Sequence, residues 1–422
     1  MIARFIPLGV FAEVGERDRT FTPWITFCAF MGQVLQRGTS CRDAVRRVQA
    51  WHWSSGTGIT VDDATGGYCQ ARARLPLSVL QDVFNGLSQR GEERSRKEDR
   101  WQGRVVKVMD GCGLSMPDTA ANRKVYPYAG GQKPGCGFPT GQLLGLFSLA
   151  TGNLVRFVLS SWKAHEAPLA RELVGWVEPG EVLLADRAFS SWGLLALFQR
   201  KRVDVVMRLH QARKTKLGLV HWSKPQRQGR WEESLWTELP ETLALRVVRF
   251  RVEVRGFRTE TITLVTTLLD ENTHSDSSLA DLFRRRWQVE LCFRDLKTTL
   301  GLDVLRTRTP AMIEKEIHLQ AIAYNLVRAL MLEAARQHDV PPDRLSFKGT
   351  ISTLRAFAPL FAPAARQAAL RFADLLLALA ADRVPARPNR VEPRARKRRP
   401  KTYQLLTKPR RQMRVSASRR QK

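Results

Sequence analysis

The segments between residues 104 and 210 predict an α/β fold built on a sheet that mixes parallel and antiparallel strands. Three strand-like runs come first, and two helix-like runs then alternate with two more strand-like runs. In chain order these runs are 104–116, 141–151, 153–162, 165–177, 181–189, 190–202 and 203–210. This is a ribonuclease-H-like order, whereas a doubly wound sheet would repeat strand and helix from its start.

Turn-forming residues and changes of period justify the individual elements. Thr151 and Gly152 separate the second and third runs, so these two strands are predicted to form a hairpin. Residues 165–177 repeat apolar side chains at the helical period, and a Pro-Gly pair follows them. The first strand is β-branched and predicted to end at Asp110, and the fourth is apolar and predicted to end at Asp186.

The region before this core, residues 1–100, is predicted to be helical. Ser40 is a candidate cap for one helix, and Asp62 or Asp63 is a candidate start for another. An Arg-rich helical module in this position predicts a DNA-binding unit, with a helical cap that only packs as the alternative. The sequence contains no clear helix-turn-helix pattern that would favour one of the two.

The region after the fifth strand contains two further kinds of structure. Alternating apolar and polar residues predict a β-rich insertion at about 211–270, within a core that spans 101–345. Ala- and Leu-rich segments predict a helical C-terminal region over 346–383. Trp222 and Trp231 stand near a basic stretch of the insertion and predict contact with DNA, with burial in the core as the alternative.

The charge of the chain predicts a polyanionic partner. The 422 residues contain 69 Lys and Arg against 40 Asp and Glu, a net charge of +29. Such an excess destabilises a compact protein through self-repulsion, and nucleic acid is the first candidate to neutralise it, ahead of a membrane surface. No apolar run reaches the ~18 residues of a membrane-spanning helix, and no secretory signal is recognisable. A cytoplasmic location without membrane partners is therefore expected.

Residues 384–422 predict a disordered basic tail. They hold 15 Lys and Arg and one acid, which contributes +14 of the total +29. Few apolar residues accompany these charges, so the segment has no face with which to fold. Counterion release by such a tail would strengthen binding to nucleic acid of any sequence.

The six cysteines predict neither a zinc site nor a disulfide framework, because no two of them form a CxxC pair. They are Cys28, Cys41, Cys69, Cys112, Cys136 and Cys292. We expect buried free thiols.

The segment Leu282 to Leu305 is the strongest chemical signal in the chain. On one continuous helix, Phe283, Arg286, Glu290 and Lys297 would share an arc of about 60°, beside an apolar stripe. This arrangement presents one carboxylate between two cations. Glu290 and Lys297 would lie roughly 10 Å apart, which suits a carboxylate on a metal and a cation on a phosphate. An ordinary amphipathic helix is the alternative interpretation of this segment alone.

Asp110, Asp186 and Glu290 together predict a two-metal site. Strand ends in an open α/β sheet are where ligands bind, although a single strand-ending Asp is more often a turn former. Three carboxylates can hold two Mg²⁺ ions about 4 Å apart for in-line displacement at a phosphodiester. Hard oxygen ligands without a Cys/His cluster favour Mg²⁺ over Zn²⁺.

These residues resemble those of a known family, the bacterial insertion-sequence transposases of the DDE class. Phe283, Arg286, Glu290 and Lys297 are similar to the Y-x2-R-x3-E-x6-K signature of its insertion-sequence-four family, with Phe in place of Tyr. The likeness extends to VMDGCGLSMPDT, LLADRAF, YPYAGGQKPGCGFP, TTLGLDVLRTRTPAMIEKEI and AYNLVRALM, within about residues 20 to 340.

The resemblance implies cut-and-paste DNA transposition. It implies Asp110, Asp186 and Glu290 as metal-binding catalytic residues, with Mg²⁺ as cofactor and Mn²⁺ as an alternative. It also implies binding to terminal inverted repeats and target DNA, a homodimer in the synaptic complex, and a bacterial, nucleoid-associated protein. We assign Arg286, Lys297, Phe283, Trp222, Trp231 and Arg187 to DNA contact.

Two other functions compete with an active transposase. The first is a DNA-binding protein derived from a transposase that has lost catalysis, which the presence of all three acids disfavours. The second is a ribonuclease-H-like nuclease without strand transfer, which the helical N-terminal module and the insertion disfavour.

Overall fold

The structure, a computed structural model, divides the chain into two compact units. It describes residues 4–14, 20–129, 135–163, 166–227, 231–252, 260–358, 368–385, 406–409 and 411–413. The first unit combines Met1–Arg94 with Phe293–Ala386, and the second combines Ser95–Cys292 with Arg387–Lys422. This division differs from the predicted core of 101–345, because the helices from both ends of the chain pack into one unit.

The second unit is built on one eight-stranded sheet. Its strands are β1 (Val106–Ser115), β2 (Thr140–Ser148), β3 (Leu154–Ser161), β4 (Val182–Ala185), β5 (Asp204–Arg208), β6 (Gly218–Ser223), β7 (Thr242–Val252) and β8 (Glu260–Thr266). Their order across the sheet is β3-β2-β1-β4-β5-β8-β7-β6. β2 is antiparallel to β1 and β3, whereas β4 and β5 run parallel to β1. The first five strands confirm the predicted ribonuclease-H-like fold.

The strands of the predicted insertion extend this same sheet. β8 pairs antiparallel with β5, and β7 and β6 follow it outward. The sequence pattern indicated β-structure at 211–270 but not where it would pair. β8 covers the edge of β5, which would otherwise present unpaired backbone groups to solvent.

Short helices flank the sheet and complete the second unit. They are α5 (Ala120–Val125), α6 (Glu166–Leu173), α7 (Trp192–Arg200), α8 (Glu233–Thr237), α9 (Asp276–Arg285) and α10 (Trp287–Arg294). Side chains of α6 and α7 pack with one face of the strands in an apolar core that includes Leu173, Leu195, Val205 and Leu245. The chain passes from the second unit into the first within α10.

Arg246 ties the added strands to the helix that precedes the candidate site. This β7 residue is 1% exposed. Its guanidinium donates to the backbone oxygen of His274 at 2.7 Å and pairs with Asp276, the first residue of α9. Glu271 contributes a further ion pair at 3.5 Å. The start of α9 is thus fixed to β7, the strand next to the edge strand β6.

The first unit is helical in the part of it that the structure describes. It contains a 3₁₀ segment (Leu8–Val14), α1 (Pro23–Leu35), α2 (Cys41–Ser54), α3 (Gly66–Arg74), α4 (Leu77–Glu93), a π-helical turn (Asp295–Leu300), α11 (Pro310–Gln337), α12 (Phe347–Phe357) and α13 (Ala368–Ala381). The long helix α11 packs against α4, α13 and α1. Its buried positions run on more than one face, as expected for the central helix of a bundle.

Two predicted helix starts have different outcomes. Ser40 caps α2 and forms a capping box with Asp43, which confirms the prediction. The predicted start at Asp62 or Asp63 is wrong, since α3 begins at Gly66. The Asp62 carboxylate accepts a hydrogen bond from the Ala64 backbone N–H, which forms a turn in place of a helix start.

The buried carboxylate of Glu316 on α11 anchors the loop before that helix. It accepts hydrogen bonds from the backbone N–H groups of Arg306 and Thr307 and from the Thr307 hydroxyl, at 2.8–3.1 Å. Burial raises its pKa, and these donors oppose that rise.

Most of the basic tail lies outside the described residues, so its predicted disorder is not addressed by them. Its described part includes residues 406–409, where the Leu406 N–H donates to the Cys136 oxygen at 3.4 Å. Pro409 lies beside Gly135. Among the helices that the structure describes, none has the length and apolar character to cross a membrane.

Candidate active site

Asp110 and Asp186 occupy matching positions on neighbouring parallel strands. Met109 of β1 pairs with Ala185 of β4, and each aspartate is the next residue of its chain. Adjacent strands lie about 4.8 Å apart, so the two backbones bring these side chains together. Asp186 follows β4 directly, as predicted.

The prediction that Asp110 ends its strand is wrong. β1 continues to Ser115, and Asp110 pairs with Gly145 of β2. What ends at this level is the pairing of β1 with β4. Beyond Met109, the described residues pair β1 with β2 alone, so Asp110 lies at the edge of the parallel part of the sheet.

Arg286 joins Asp110 to Glu290. Its Nη1 lies 3.6 Å from Asp110 Oδ2, and its Nη2 lies 3.7 Å from Glu290 Oε1. The arginine is 8% exposed, whereas Glu290 is exposed. Its Nε is buried without a hydrogen-bond partner. A strand acid and a helix acid are thus bridged by one buried cation.

The predicted continuous helix from 282 to 305 is interrupted. α9 ends at Arg285, Arg286 forms a turn, and α10 begins at Trp287. A π-helical turn then replaces regular helix at Asp295–Leu300, a feature frequent at functional sites. The predicted shared arc assumed a regular helix throughout. Lys297 lies half-buried in the π-helical turn of the first unit, and its contact with phosphate stays a prediction.

The pKa values of Asp110 and Glu290 are both raised. Burial is the main cause for Asp110, and partial removal from water is the main cause for Glu290, whose side chain is largely exposed. For Asp110, the Gly111 N–H and Arg286 oppose the rise, while the charge of Asp186 adds to it. For Glu290, Arg286 opposes the rise, and Asp110 and Asp186 add to it. Repulsion between the acids acts in the same direction, but desolvation outweighs it.

The donor chemistry of this site fits a hard divalent cation. Three carboxylates would supply oxygen ligands, and Asp186 Oδ1 is buried with no hydrogen-bond partner among the described residues. With the side chains as they stand, no group of three His, Cys, Asp or Glu residues in the described ranges is arranged to hold a metal ion. Asp110 and Glu290 contact Arg286 instead.

Phe283 does not have the placement expected of a DNA-contacting ring. It is 4% exposed, and the guanidinium carbon of Arg286 lies 5.6 Å from its ring centroid. The Phe283 ring lies next to Arg286, the arginine that bridges Asp110 and Glu290. Phe283 therefore supports Arg286 from within the protein.

The two tryptophans predicted to contact DNA pack on the protein core. Trp222 and Trp231 are both half-buried against the apolar cluster of the second unit. Arg213 lies over the Trp222 ring at 4.6 Å, and Arg171 over the Trp231 ring at 4.7 Å. The alternative of core packing describes both rings better than base stacking does.

Arg187 is exposed and lines a basic cleft that the sequence did not single out. Its Nη1 donates to Gln211 Oε1 at 3.0 Å. The cleft has a volume of about 420 Å³ and also includes Arg208, Arg213, Lys214 and Arg249. The basic stretch after residue 210 could have indicated this cleft from the sequence. The place of Arg249 in the cleft could not, because it depends on how β7 pairs in the sheet.

Trp287 and Leu291 were also missed by sequence reasoning. They lie four residues apart on α10, on either side of Glu290 in the sequence, and are 62% and 49% exposed. Periodicity assigns such residues to a core, because it cannot show which apolar positions lack a covering element. They place an exposed apolar surface beside Glu290.

Comparison with known proteins assigns the family. The model of a transposase DDE domain matches residues 101–326. The transposase InsG for insertion sequence element IS4 from Escherichia coli (strain K12) is 25% identical over 376 residues, covering 82% of this chain and 79% of that protein. The putative transposase InsZ from the same strain is 28% identical over 140 residues, covering 33% of this chain and 46% of its own.

One solved structure, a piggyBac transposase synaptic complex with hairpin DNA, aligns at a TM-score of 0.43 and 11% identity, covering 89% of this chain and 82% of that chain. The DDE-domain match spans more than half of the chain and includes Asp110, Asp186 and Glu290. This chain therefore belongs to the DDE transposase family, and its similarity to the IS4 transposase extends over most of its length.

Proposed function

We propose that this protein cleaves DNA at the ends of its insertion sequence and joins them to target DNA in an Mg²⁺-dependent reaction. The observation that carries the proposal is the bridge from Asp110 through Arg286 to Glu290, beside the matched position of Asp186. Asp110 in a strand, Asp186 directly after a strand and Glu290 in a helix lie close enough for their charges to interact, in a protein of net charge +29.

In this proposal Asp110, Asp186 and Glu290 hold the metal, with Mn²⁺ as an alternative to Mg²⁺. When bound, the metal supplies an activated water or 3′-hydroxyl and stabilises the leaving oxygen. Asp186 offers an unpartnered buried oxygen, and Asp110 and Glu290 are held close to the site by Arg286. Arg286 neutralises these acids in the metal-free protein and is then placed to contact a DNA phosphate.

The remaining assignments follow from the same proposal. Lys297 contacts phosphate, the N-terminal helices contribute to recognition of terminal inverted repeats, and two copies of the chain form the synaptic complex. Trp287 is placed to stack on an unpaired base beside the cleavage site, because its ring is 62% exposed next to the acids. Placement in the Y-R-E-K signature subgroup, with Phe283 at the Tyr position, is part of this proposal.

A transposase-derived DNA-binding protein without catalysis is the alternative. An active transposase requires all three acids, whereas a protein that only binds DNA does not. A purely binding protein gains nothing from three carboxylates that repel phosphate, and Asp110 and Glu290 would be free to vary. The raised pKa of both groups supports catalysis, because a bound cation would offset the cost of ionising them.

The test measures cleavage of duplex DNA that carries the sequences flanking this gene, in the presence of Mg²⁺. Wild type is compared with three variants: Asp110→Asn, Asp186→Asn and Glu290→Gln. We expect each substitution to lower cleavage at least about 10³-fold, the scale of losing electrostatic stabilisation of the reacting groups. DNA binding and the circular dichroism spectrum should stay close to those of wild type.

Asp281→Asn is the matched control, because this exposed aspartate of α9 pairs only with Arg284 in the described contacts. It should cleave like wild type. Full cleavage by Asp186→Asn would refute the mechanism, and binding without cleavage by wild type in Mg²⁺ or Mn²⁺ would support the alternative.

A further inference from the structure

The basic cleft begins one strand away from the acids. Ala185 of β4 pairs with Met207 of β5, so Asp186 and Arg208 are the next residues at the same level of the sheet. Arg187 then reaches the cleft loop through its hydrogen bond to Gln211. The cleft therefore continues the strand edge on which the candidate active site lies.

The lining of this cleft is suited to phosphate oxygens. Five cations line it, together with Thr261 and Thr263 of β8, and none of the described residues that line it is acidic. The cations are Arg187, Arg208, Arg213, Lys214 and Arg249. Guanidinium, ammonium and hydroxyl groups make most protein contacts with DNA backbones.

The cleft is also pre-formed. The Leu209 N–H donates to the Thr263 oxygen at 2.8 Å, which fixes the start of the loop to β8. The Arg213 N–H donates to the His210 oxygen at 2.9 Å and closes a turn within the loop. Arg213 stacks on Trp222, and burial lowers its pKa. A cation held half-buried in this way keeps its place before a ligand arrives.

The volume of the cleft indicates the size of the ligand that it can hold. Pockets for small organic ligands measure about 300–1,000 Å³, and the cleft, at about 420 Å³, falls within that range. It is much larger than one phosphate ion requires. Its size and its position beside Asp186 suit a short stretch of nucleotide chain.

We propose that this cleft holds the phosphodiester backbone of one DNA strand next to the phosphate that lies at Asp110 and Asp186. The inference rests on the proposed function, because it assumes that DNA is the substrate at those acids. It adds a backbone-binding site formed by β5, β7, β8 and the loop 209–215. The strand comes from either the insertion-sequence end or the target DNA, which share this chemistry.

The first experiment compares Lys214→Gln/Arg249→Gln with the control Lys124→Gln/Arg100→Gln in the full-length protein. Both pairs remove one Lys and one Arg, all four are exposed, and the control pair lies outside the cleft in the same unit. Kd for a duplex with the insertion-sequence end and for an unrelated duplex is measured in EDTA over a range of NaCl concentrations. The cleft variant should reduce the slope of log Kd against log salt by about two, and the control by less than about one.

The second experiment locates the contacted phosphates. Single methylphosphonates, which remove one backbone charge, are placed along each strand around the cleavage site and in the unrelated duplex. For wild type, neutralising a phosphate in the cleft should weaken binding about tenfold, as expected for one charge-assisted hydrogen bond. The cleft variant should lose this sensitivity at those positions only, while the control variant keeps it.

Sensitive positions confined to the insertion-sequence end would assign the cleft to that strand, and sensitive positions in the unrelated duplex would assign it to target DNA. The same methylphosphonate pattern in all three proteins would overturn the inference, even if the acids prove catalytic. Failure of wild type to bind either duplex would instead refute the proposed function.

Discussion

Arg286 is the residue on which the geometry of the candidate site depends. It contacts Asp110 and Glu290, and its guanidinium lies over the ring of Phe283. Under the proposed function, a divalent cation would compete with Arg286 for the same two carboxylates, because either can compensate their charge. Arg286 would then give up these contacts on metal binding.

From this competition we expect Arg286→Ala to bind Mg²⁺ or Mn²⁺ at least as tightly as wild type in isothermal titration calorimetry. The same substitution should lower DNA cleavage, since the cation is also placed to contact phosphate. Arg286→Lys keeps the charge but cannot contact both carboxylates with separate guanidinium nitrogens. Its metal affinity and its cleavage rate should therefore lie between those of wild type and Arg286→Ala. Weaker metal binding by Arg286→Ala would mean that the arginine positions the acids for the metal.

The types of the site residues could be predicted from the sequence, but their contacts could not. Asp110, Asp186 and Glu290 were identified from strand-like runs and from the spacing of charges around Glu290. The turn at Arg286 was not predicted, because apolar periodicity continues through it. The burial of Phe283 beneath Arg286 was also missed, since burial depends on which residues pack around a side chain.

At the scale of elements, Arg246 shows how the added strands contribute to the site. It connects β7 to the start of α9, the helix that ends immediately before Arg286. Removing it leaves the His274 oxygen without its described donor and opens space next to α9. The position of Arg286 should therefore depend on a strand far from it in the sequence.

We expect Arg246→Met to lower the free energy of unfolding by about 2–3 kcal/mol, the scale for losing hydrogen bonds to a charged group. Methionine fills much of the space, so the loss measures the polar contacts. Arg249→Met is the control, because this β7 residue is exposed. Urea denaturation of both variants provides the measurement, and equal stability of the two would exclude the connecting role.

Sequence patterns predicted most elements of the core but not the larger arrangement. The strand order of a ribonuclease-H-like sheet followed from local patterns. The pairing of β8 with β5, and the union of the N-terminal helices with α11 to α13, depend on contacts between distant parts of the chain. An apolar helix face indicates burial but not which partner covers it.

The buried carboxylate of Glu316 should make the stability of the protein depend on pH in a predictable direction. Burial raises the pKa of Glu316 in the folded protein, so the folded state binds a proton more tightly than the unfolded state. Its contribution to stability is fully present below the ordinary pKa of about 4.3 and is lost as pH rises through the raised value. Glu316→Gln removes the titration and keeps one acceptor oxygen for Thr307.

We therefore expect the stability of wild type relative to Glu316→Gln to decrease as the pH rises from about 4 through the folded pKa. Chemical denaturation of both proteins in a series of buffers measures this difference. The control is Glu314→Gln, which changes a half-buried glutamate of the same helix and should show no such trend. An increase with pH would show that the donors from Arg306 and Thr307 outweigh burial.

At the scale of the whole molecule, the charge is unevenly distributed along the chain. Residues 384–422 carry +14 of the total +29, whereas the candidate site presents three acids to a polyanion. Basic residues elsewhere must overcome that repulsion. Charges in a tail can do so for DNA of any sequence, because counterion release depends on phosphate and not on base identity.

We expect removal of residues 386–422 to weaken binding to unrelated duplex. The ratio of affinities for insertion-sequence ends over unrelated DNA should fall by a smaller factor. The truncation keeps Val384, whose backbone is hydrogen-bonded to Arg344, so the first unit retains its contacts. Loss of up to fourteen net charges should also flatten the salt dependence of Kd. A full-length variant with the tail Lys and Arg changed to Gln keeps the contacts of Leu406 and Pro409, and it should match the truncation if charge is the cause. An unchanged salt slope in both variants would show that the cations of the folded units, including those of the basic cleft, neutralise the DNA by themselves.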